Sequence, residues 1–259
     1  MRRRDAILVC FAAGLATQAE ARRLSEGPLR SASGFSWLTV RTPHFDLYYE
    51  GKTPAERDLE KIKRRLEASW TGIEKLLGSA VDKRLPAFIV DSRARMKELT
   101  GTETNGLASD TVSLMVYSDT INAVGAHELC HVMARWLWGA DHGSWVNEGL
   151  AVYSDDQWLG LPLHSVARGL LDRGQLVPIA KLVSGGWNKK YPEPITYPEL
   201  GSFIKFVYEK YGLDSVKALW QRGAGAAQAV FGKPLSELEV EWRVEVTKHE
   251  PKSVDYKKR

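Results

Sequence analysis

Between Leu59 and Leu77 the apolar positions Leu59, Ile62, Leu66, Trp70, Ile73 and Leu77 recur every three or four residues. That spacing puts them on one face and predicts an amphipathic helix ending at Gly78, with Thr53-Pro54 opening it and the proline at a tolerated first-turn position. The segment before it alternates instead. Trp37, Thr39 and Arg41, then Phe45, Leu47 and Tyr49, read as a strand interrupted near Pro43. Leu85 to Val90 is a short apolar run of strand type, followed by a short helix around Arg93 to Leu99, a loop over 101–105, and one or two strands between Leu107 and Tyr117. Asp119 or Thr120 can cap a long helix running to about Trp138 and stopped by Gly139, and Ser144 can cap another through Tyr153. Further helices are expected over 163–173, 197–211, 213–222 and 234–248, with a Gly- and Pro-rich loop over 184–194. Strands with one helix come first and helices follow, with no internal repeat. This order predicts an α+β fold: a small mixed sheet with an N-terminal helix, then a mainly helical C-terminal part.

Composition agrees with a globular core and narrows the function classes. Of 259 residues, 44% are hydrophobic and 26% charged, enough apolar material for one sizeable domain. The net charge of +4 gathers at the ends, in Arg2 to Arg4 and Lys257 to Arg259. With no basic run interleaved with aromatics between them, nucleic-acid binding has little support. The first residues read as a secretory signal peptide: three arginines, an apolar stretch from Ala6 to Ala16, and the small-x-small pattern Ala19-Glu20-Ala21, with cleavage expected after Ala21. The apolar stretch is short of the roughly 20 residues that span a bilayer. An uncleaved anchor and a twin-arginine signal are the alternatives. Secretion or a periplasmic location is therefore expected, with no stable membrane span after cleavage. Residues 22–34 read as a flexible lead-in, and 35–259 as one domain made of a sheet-containing lobe (35–138) and a helical lobe (139–259). Cleavage would remove Cys10 and leave Cys130 alone, so the mature chain would hold no intramolecular disulfide.

The strongest chemical signal is His127-Glu128-Leu129-Cys130-His131. Positions i and i+4 share a helical face, so two imidazoles can reach one metal ion, while Glu128 beside the first can take a proton from an attacking water and return it to a leaving amine. H-E-x-x-H is a metallopeptidase pattern, and a chance match in this length is on the order of one in a hundred. Two packed histidines with an exposed glutamate are the plain alternative. Trp145-Val146-Asn147-Glu148-Gly149-Leu150-Ala151 follows after a short turn, which brings Glu148 back toward the histidines. Two histidines and one carboxylate leave a fourth position open for water, as catalytic zinc sites require. Read alone, Glu148 is a first-turn helix acid favoured by the helix dipole.

The segments 127–131 and 145–151 together resemble the gluzincin zinc metallopeptidases. Asn147-Glu148-Gly149-Leu150-Ala151 is similar to the third-ligand motif of their aminopeptidase-like branch. The interval of 17 positions from His131 to Glu148 looks closer to the small, compact peptidase MA-like members. Looser similarity covers Trp37 to Phe45, Tyr197 with Gly201-Ser202-Phe203 and Tyr211-Gly212, and Leu235 to Trp242. The resemblance implies a zincin-like core with one zinc ion held by His127, His131 and Glu148. It also implies that Glu128 is the general base and that Tyr197 donates a hydrogen bond to the tetrahedral oxyanion. A packing tyrosine is the alternative for Tyr197. Asp155 lies seven residues after Glu148 on the same face and could accept the free N–H of a ligand histidine; Asp156 or plain exposure is the alternative. In this family an edge strand such as Gly106-Leu107-Ala108 binds substrate backbone by β-augmentation, against an ordinary turn and strand. Arg135, one turn after His131, faces either a cleft or a surface salt bridge.

The expected activity is peptide-bond hydrolysis by an exported zinc metallopeptidase acting on a peptide or protein substrate. Two other readings stay open: an inactive or structural zinc protein that binds an envelope partner, and a zinc amidase acting on a non-peptide amide. The intact Glu128 argues against the former, and a lone open zinc site does not separate amide types.

Overall fold

Proline at position 43 divides the first β segment into a hairpin. Strand β1 (Trp37–Arg41) pairs antiparallel with β2 (Phe45–Glu50), and the turn closes through Thr42 N–H donating to Phe45 O at 2.9 Å. The structure, a computed structural model, describes residues 24–254. It divides into two units, one formed by residues up to 75 with 79–133, the other by 76–78 with the residues from 134 onward. The expected signal peptide, 1–21, lies outside the described residues.

In the first unit a short helix α2 (Pro54–Arg57) and the long helix α3 (Leu59–Leu77) connect β2 to β3 (Leu85–Val90), which runs parallel to it. β3 is apolar on both faces because both are covered, and all but one of its residues are buried. Helix α4 (Arg93–Thr100) leads to β4 (Gly106–Ala108), which pairs antiparallel with β5 (Ser113–Val116); β5 in turn lies parallel to β3. The order β1-β2-β3-β5-β4 makes a five-stranded mixed sheet with β4 at one edge. Ile62, Leu66, Trp70 and Ile73 of α3 are almost wholly buried, Trp70 edge-on to Phe45 at 5.3 Å. Tyr48, Phe88, Val90, Met96, Val112, Leu114 and Val116 form a second cluster together with Leu29.

Leu29 corrects one expectation. Residues 22–34 do not form a flexible lead-in throughout, because Glu26–Arg30 is a helix, α1. Leu29 is 3% exposed, Trp37 Nε1–H donates to its carbonyl at 3.0 Å, and the Tyr48 hydroxyl donates to Glu26. Burial of a single leucine under a tryptophan orders a segment whose polar composition reads as loose.

A second correction concerns the metal helix. Helix α5 spans His127–Trp138 and does not begin near Asp119. Residues 118–123 instead fold back on β5: Ser118 N–H donates to Ile121 O at 2.7 Å, Ala123 N–H to Val116 O at 2.9 Å, and Tyr117 bridges Asn122. Asp119 pairs with Arg57 at 2.8 Å.

In the second unit, Gly139 (φ +80°) stops α5 as expected. Helix α6 (Ser144–Asp155) has Gly143 at its N-cap, not Ser144, whose hydroxyl accepts from Trp187 Nε1 at 3.0 Å. Leu159 and Gly160, both with positive φ, turn a small hairpin of β6 (Gln157–Trp158) and β7 (Leu161–Pro162) that alternation was too short to announce. Helices α7 (Leu163–Asp172), α8 (Ile179–Leu182), α9 (Trp187–Lys190), α10 (Glu193–Tyr211), α11 (Leu213–Arg222), α12 (Ala227–Phe231) and α13 (Leu235–Val246) follow. The stretch expected as a loop over 184–194 thus contains α9 and the start of α10, with Trp187 buried as its anchor. A methyl group on Gly149 of α6 would lie 2.6 Å from Ile204, and one on Gly201 of α10 would lie 2.4 Å from Val152. Glycines on both helices therefore let α6 and α10 pack closely.

Glu199, on α10, is wholly buried; one oxygen accepts from Val177 N–H at 3.1 Å and the other has no partner. Burial holds its carboxyl protonated, well above the usual carboxylate range. The folded form therefore binds a proton that the unfolded chain releases, and this contribution to stability is lost as pH rises above about 4.3, the unfolded value, toward the raised one. Glu199→Gln is expected to leave the melting temperature unchanged at pH 4 and to raise it at pH 8. Thermal unfolding at both pH values checks this, and equal shifts at the two would refute it.

Candidate metal centre

Helix α5 places His127 and His131 one turn apart, with their rings nearly perpendicular and their Nε2 atoms 3.2 Å apart. Both rings thus point the same nitrogen at one place. Zinc–imidazole bonds of about 2.0–2.1 Å at a tetrahedral angle imply a nitrogen–nitrogen separation of about 3.3 Å, so the pair already has the spacing of two ligands on one ion. The turn after α5 and the first turn of α6 return Glu148, and donor atoms of His127, His131 and Glu148 all lie within 4.8 Å of one another. Among the described residues no other group of three meets that condition. Two imidazoles and a carboxylate suit zinc, and three protein ligands leave one position open.

His127 and Glu128 are nearly buried, while His131 and Glu148 are partly exposed. The Glu128 carboxylate lies against the edge strand. A Cβ on Gly106 would sit 2.2 Å from its Oε1 and 2.8 Å from its Cδ and Cγ. Gly106 is therefore the floor on which Glu128 rests. The sequence gives it no mark of this kind, because a glycine before a short strand looks like a turn residue. Gly106→Ala is expected to displace Glu128 while leaving His127, His131 and Glu148 in place. A misplacement of about 1 Å costs roughly 100-fold in rate. Turnover measured beside zinc content checks this; unaltered turnover would show that the glutamate works from another position.

No family model matches the chain, and no curated protein matches it. The chain is similar to solved structures of zinc metallopeptidases. A variant of the M1 zinc metallopeptidase from Deinococcus radiodurans is 16% identical with a TM-score of 0.46, over 85% of this chain and 53% of that one. A two-domain variant of an M1 zinc metallopeptidase bound to L-tryptophan is 17% identical with a TM-score of 0.47, over 85% and 52%. An aminopeptidase N family protein from Idiomarina loihiensis is 13% identical with a TM-score of 0.41, over 85% and 47%. The chain spans about half the length of these structures. Its functional reading rests on its own residues.

The other candidates fall as follows. Tyr197, on the first turns of α10, is 7% exposed and flanked by Trp158 and Trp187, with ring centroids 6.0 and 5.9 Å away. Asp155 is the last residue of α6 and is partly exposed. Gly106, Leu107 and Ala108 make up the edge strand β4. Cys130 is buried, as expected. Arg135 forms the salt bridge of the two alternatives, but with little exposure: it pairs with Asp141 at 2.8 Å, the two side chains 14% and 3% exposed. Asp141 had no signal in the sequence beyond lying in a glycine-bounded turn, Gly139 to Gly143.

Proposed function

We propose that the chain is an exported zinc-dependent metallopeptidase of gluzincin type that hydrolyses peptide bonds. The observation that carries this reading is the convergence of His127, His131 and Glu148 with Glu128 beside them. These three residues would hold one zinc ion. Zinc bound there supplies a Lewis acid that polarises the scissile carbonyl and eases deprotonation of water. Glu128 accepts the proton of the attacking water and passes it to the leaving amine. Its place against Gly106 supports this role, since close packing holds a base in a fixed position. The outer edge of β4 receives substrate backbone as an added strand. Asp155 orients a ligand histidine. Export rests on the pattern of residues 1–21, and no described helix is long and apolar enough to cross a membrane.

Tyr197 stabilises the tetrahedral oxyanion with its hydroxyl while the two tryptophan rings hold its own ring. Loss of one such donor costs about 100- to 1,000-fold in turnover. Tyr197→Phe is expected to show that loss with zinc still bound, and unchanged turnover would leave Tyr197 a packing residue.

The reading is tested by incubating the purified protein, zinc-loaded and chelator-treated, with a diverse peptide library and reading the products by mass spectrometry. Cleavage by the loaded form alone supports a peptidase, and the cut sites separate end-trimming from internal cleavage. Zinc binding without any cleavage refutes the peptidase reading.

A further inference from the structure

The turn between the two ligand-bearing helices is organised around one carboxylate. Asp141 Oδ2 accepts from Arg135 Nη2 at 2.8 Å and from Asn147 Nδ2 at 3.3 Å, while Oδ1 accepts from the Gly143 N–H at 3.2 Å. Its side chain is 3% exposed. Each donor belongs to a different part of the metal segment. Arg135 lies on α5 one turn after His131, Gly143 is the N-cap of α6, and Asn147 immediately precedes Glu148. The turn itself carries strong constraints. Gly139 and Gly143 have positive φ, and the His142 N–H donates to Trp220 O at 2.7 Å. Gly143, at φ +155°, has no side chain with which to cap α6, and its own backbone N–H is held by Asp141 Oδ1.

From this arrangement we infer that Asp141 is a positioning residue for the metal centre: it sets the register of α6 on α5 and so delivers Glu148 to His127 and His131. The inference rests on the metallopeptidase reading only as far as the zinc site. The physical reason is geometric. A carboxylate bonded at once to the end of one helix and the beginning of the next removes the freedom of α6 to rotate or slide, and a helix rotated by one residue turns its side chains through about 100°. Low exposure strengthens the three bonds that the carboxylate accepts. Asparagine at 141 could still accept through its one oxygen, but its amide nitrogen accepts from no donor, so either the Gly143 N–H or the pair Arg135 and Asn147 loses its acceptor.

The test is zinc affinity, by competition with a chromophoric chelator, together with the visible spectrum of the cobalt-substituted protein, which reports ligand geometry. Wild type, Asp141→Asn and a His131→Ala control are compared, with melting temperatures taken on the metal-free proteins. Asp141→Asn is expected to weaken zinc binding roughly 10- to 100-fold, the range seen when groups that orient metal ligands are removed, and to alter the cobalt spectrum. Wild-type affinity and an unchanged spectrum in Asp141→Asn, whatever its melting temperature, would overturn the inference, because a merely stabilising turn would not move either. If Asp141→Asn does not fold, Arg135→Gln is judged by the same two readouts, with weakened affinity supporting the inference and wild-type affinity overturning it. Failure of the zinc-site reading looks different: wild type then binds no zinc, or binds it as well as His131→Ala does, and the inference falls with it.

Discussion

Glu128→Gln is expected to abolish peptide cleavage while the protein keeps its zinc. The amide has the size and shape of the carboxylate and can occupy the same place beside Gly106, so the ligands His127, His131 and Glu148 need not move. What it lacks is basicity. Positioned general acid–base groups contribute about 100- to 10,000-fold to rate, and turnover should fall within that range or beyond it. The measurement is the initial rate on a peptide found to be cleaved by wild type, with zinc content determined on the same samples. A variant with full zinc and full activity would show that Glu128 is not the base. A variant that has lost its zinc would show instead that Glu128 supports the ligands.

Glu148→Ala should remove most zinc affinity and leave the fold intact. Structural zinc sites with four ligands bind with about 10–16 kcal/mol, which assigns roughly 2.5–4 kcal/mol to each ligand and a loss of about 100- to 1,000-fold when one is deleted. Zinc should accordingly raise the melting temperature of wild type, by about 2.7 kcal/mol of added stability at a hundredfold excess over the dissociation constant, and should scarcely move that of the variant. Equal zinc responses in the two proteins would return Glu148 to the plain role of a first-turn helix acid. Its partial exposure makes the substitution mild for folding.

The same residues show why some of the site was readable and some was not. His127 and His131 are legible because an i, i+4 pair is a property of one helix, whatever surrounds it. Glu148 is legible because only a short turn separates α6 from α5. Gly106 and Glu128 meet across 22 positions through a strand pairing that no local pattern announces. Tyr197 could be singled out, but the two tryptophans beside it come from β6 and α9, one too short for a period and the other inside a stretch that reads as loop. The helix expected from Asp119 fails for a related reason. Its polar start is also a good turn sequence, and backbone pairing with β5 decided between them.

The amino-acid sequence by itself determined the α+β order, the buried strand β3 and the C-terminal end of the long helix α3, whose expected start at Pro54 the structure moves to Leu59 behind the separate helix α2, and it marked His127, His131 and Glu148 as candidate donors. All of these depend on spacing within a few turns or on the chemistry of side chains one turn apart. Only the tertiary structure decided that Leu29 is buried before β1, that Gly106 supports Glu128, and that Asp141 ties α5 to α6. Those are relations between residues on different elements, and they exist only once hydrophobic burial has chosen which faces meet.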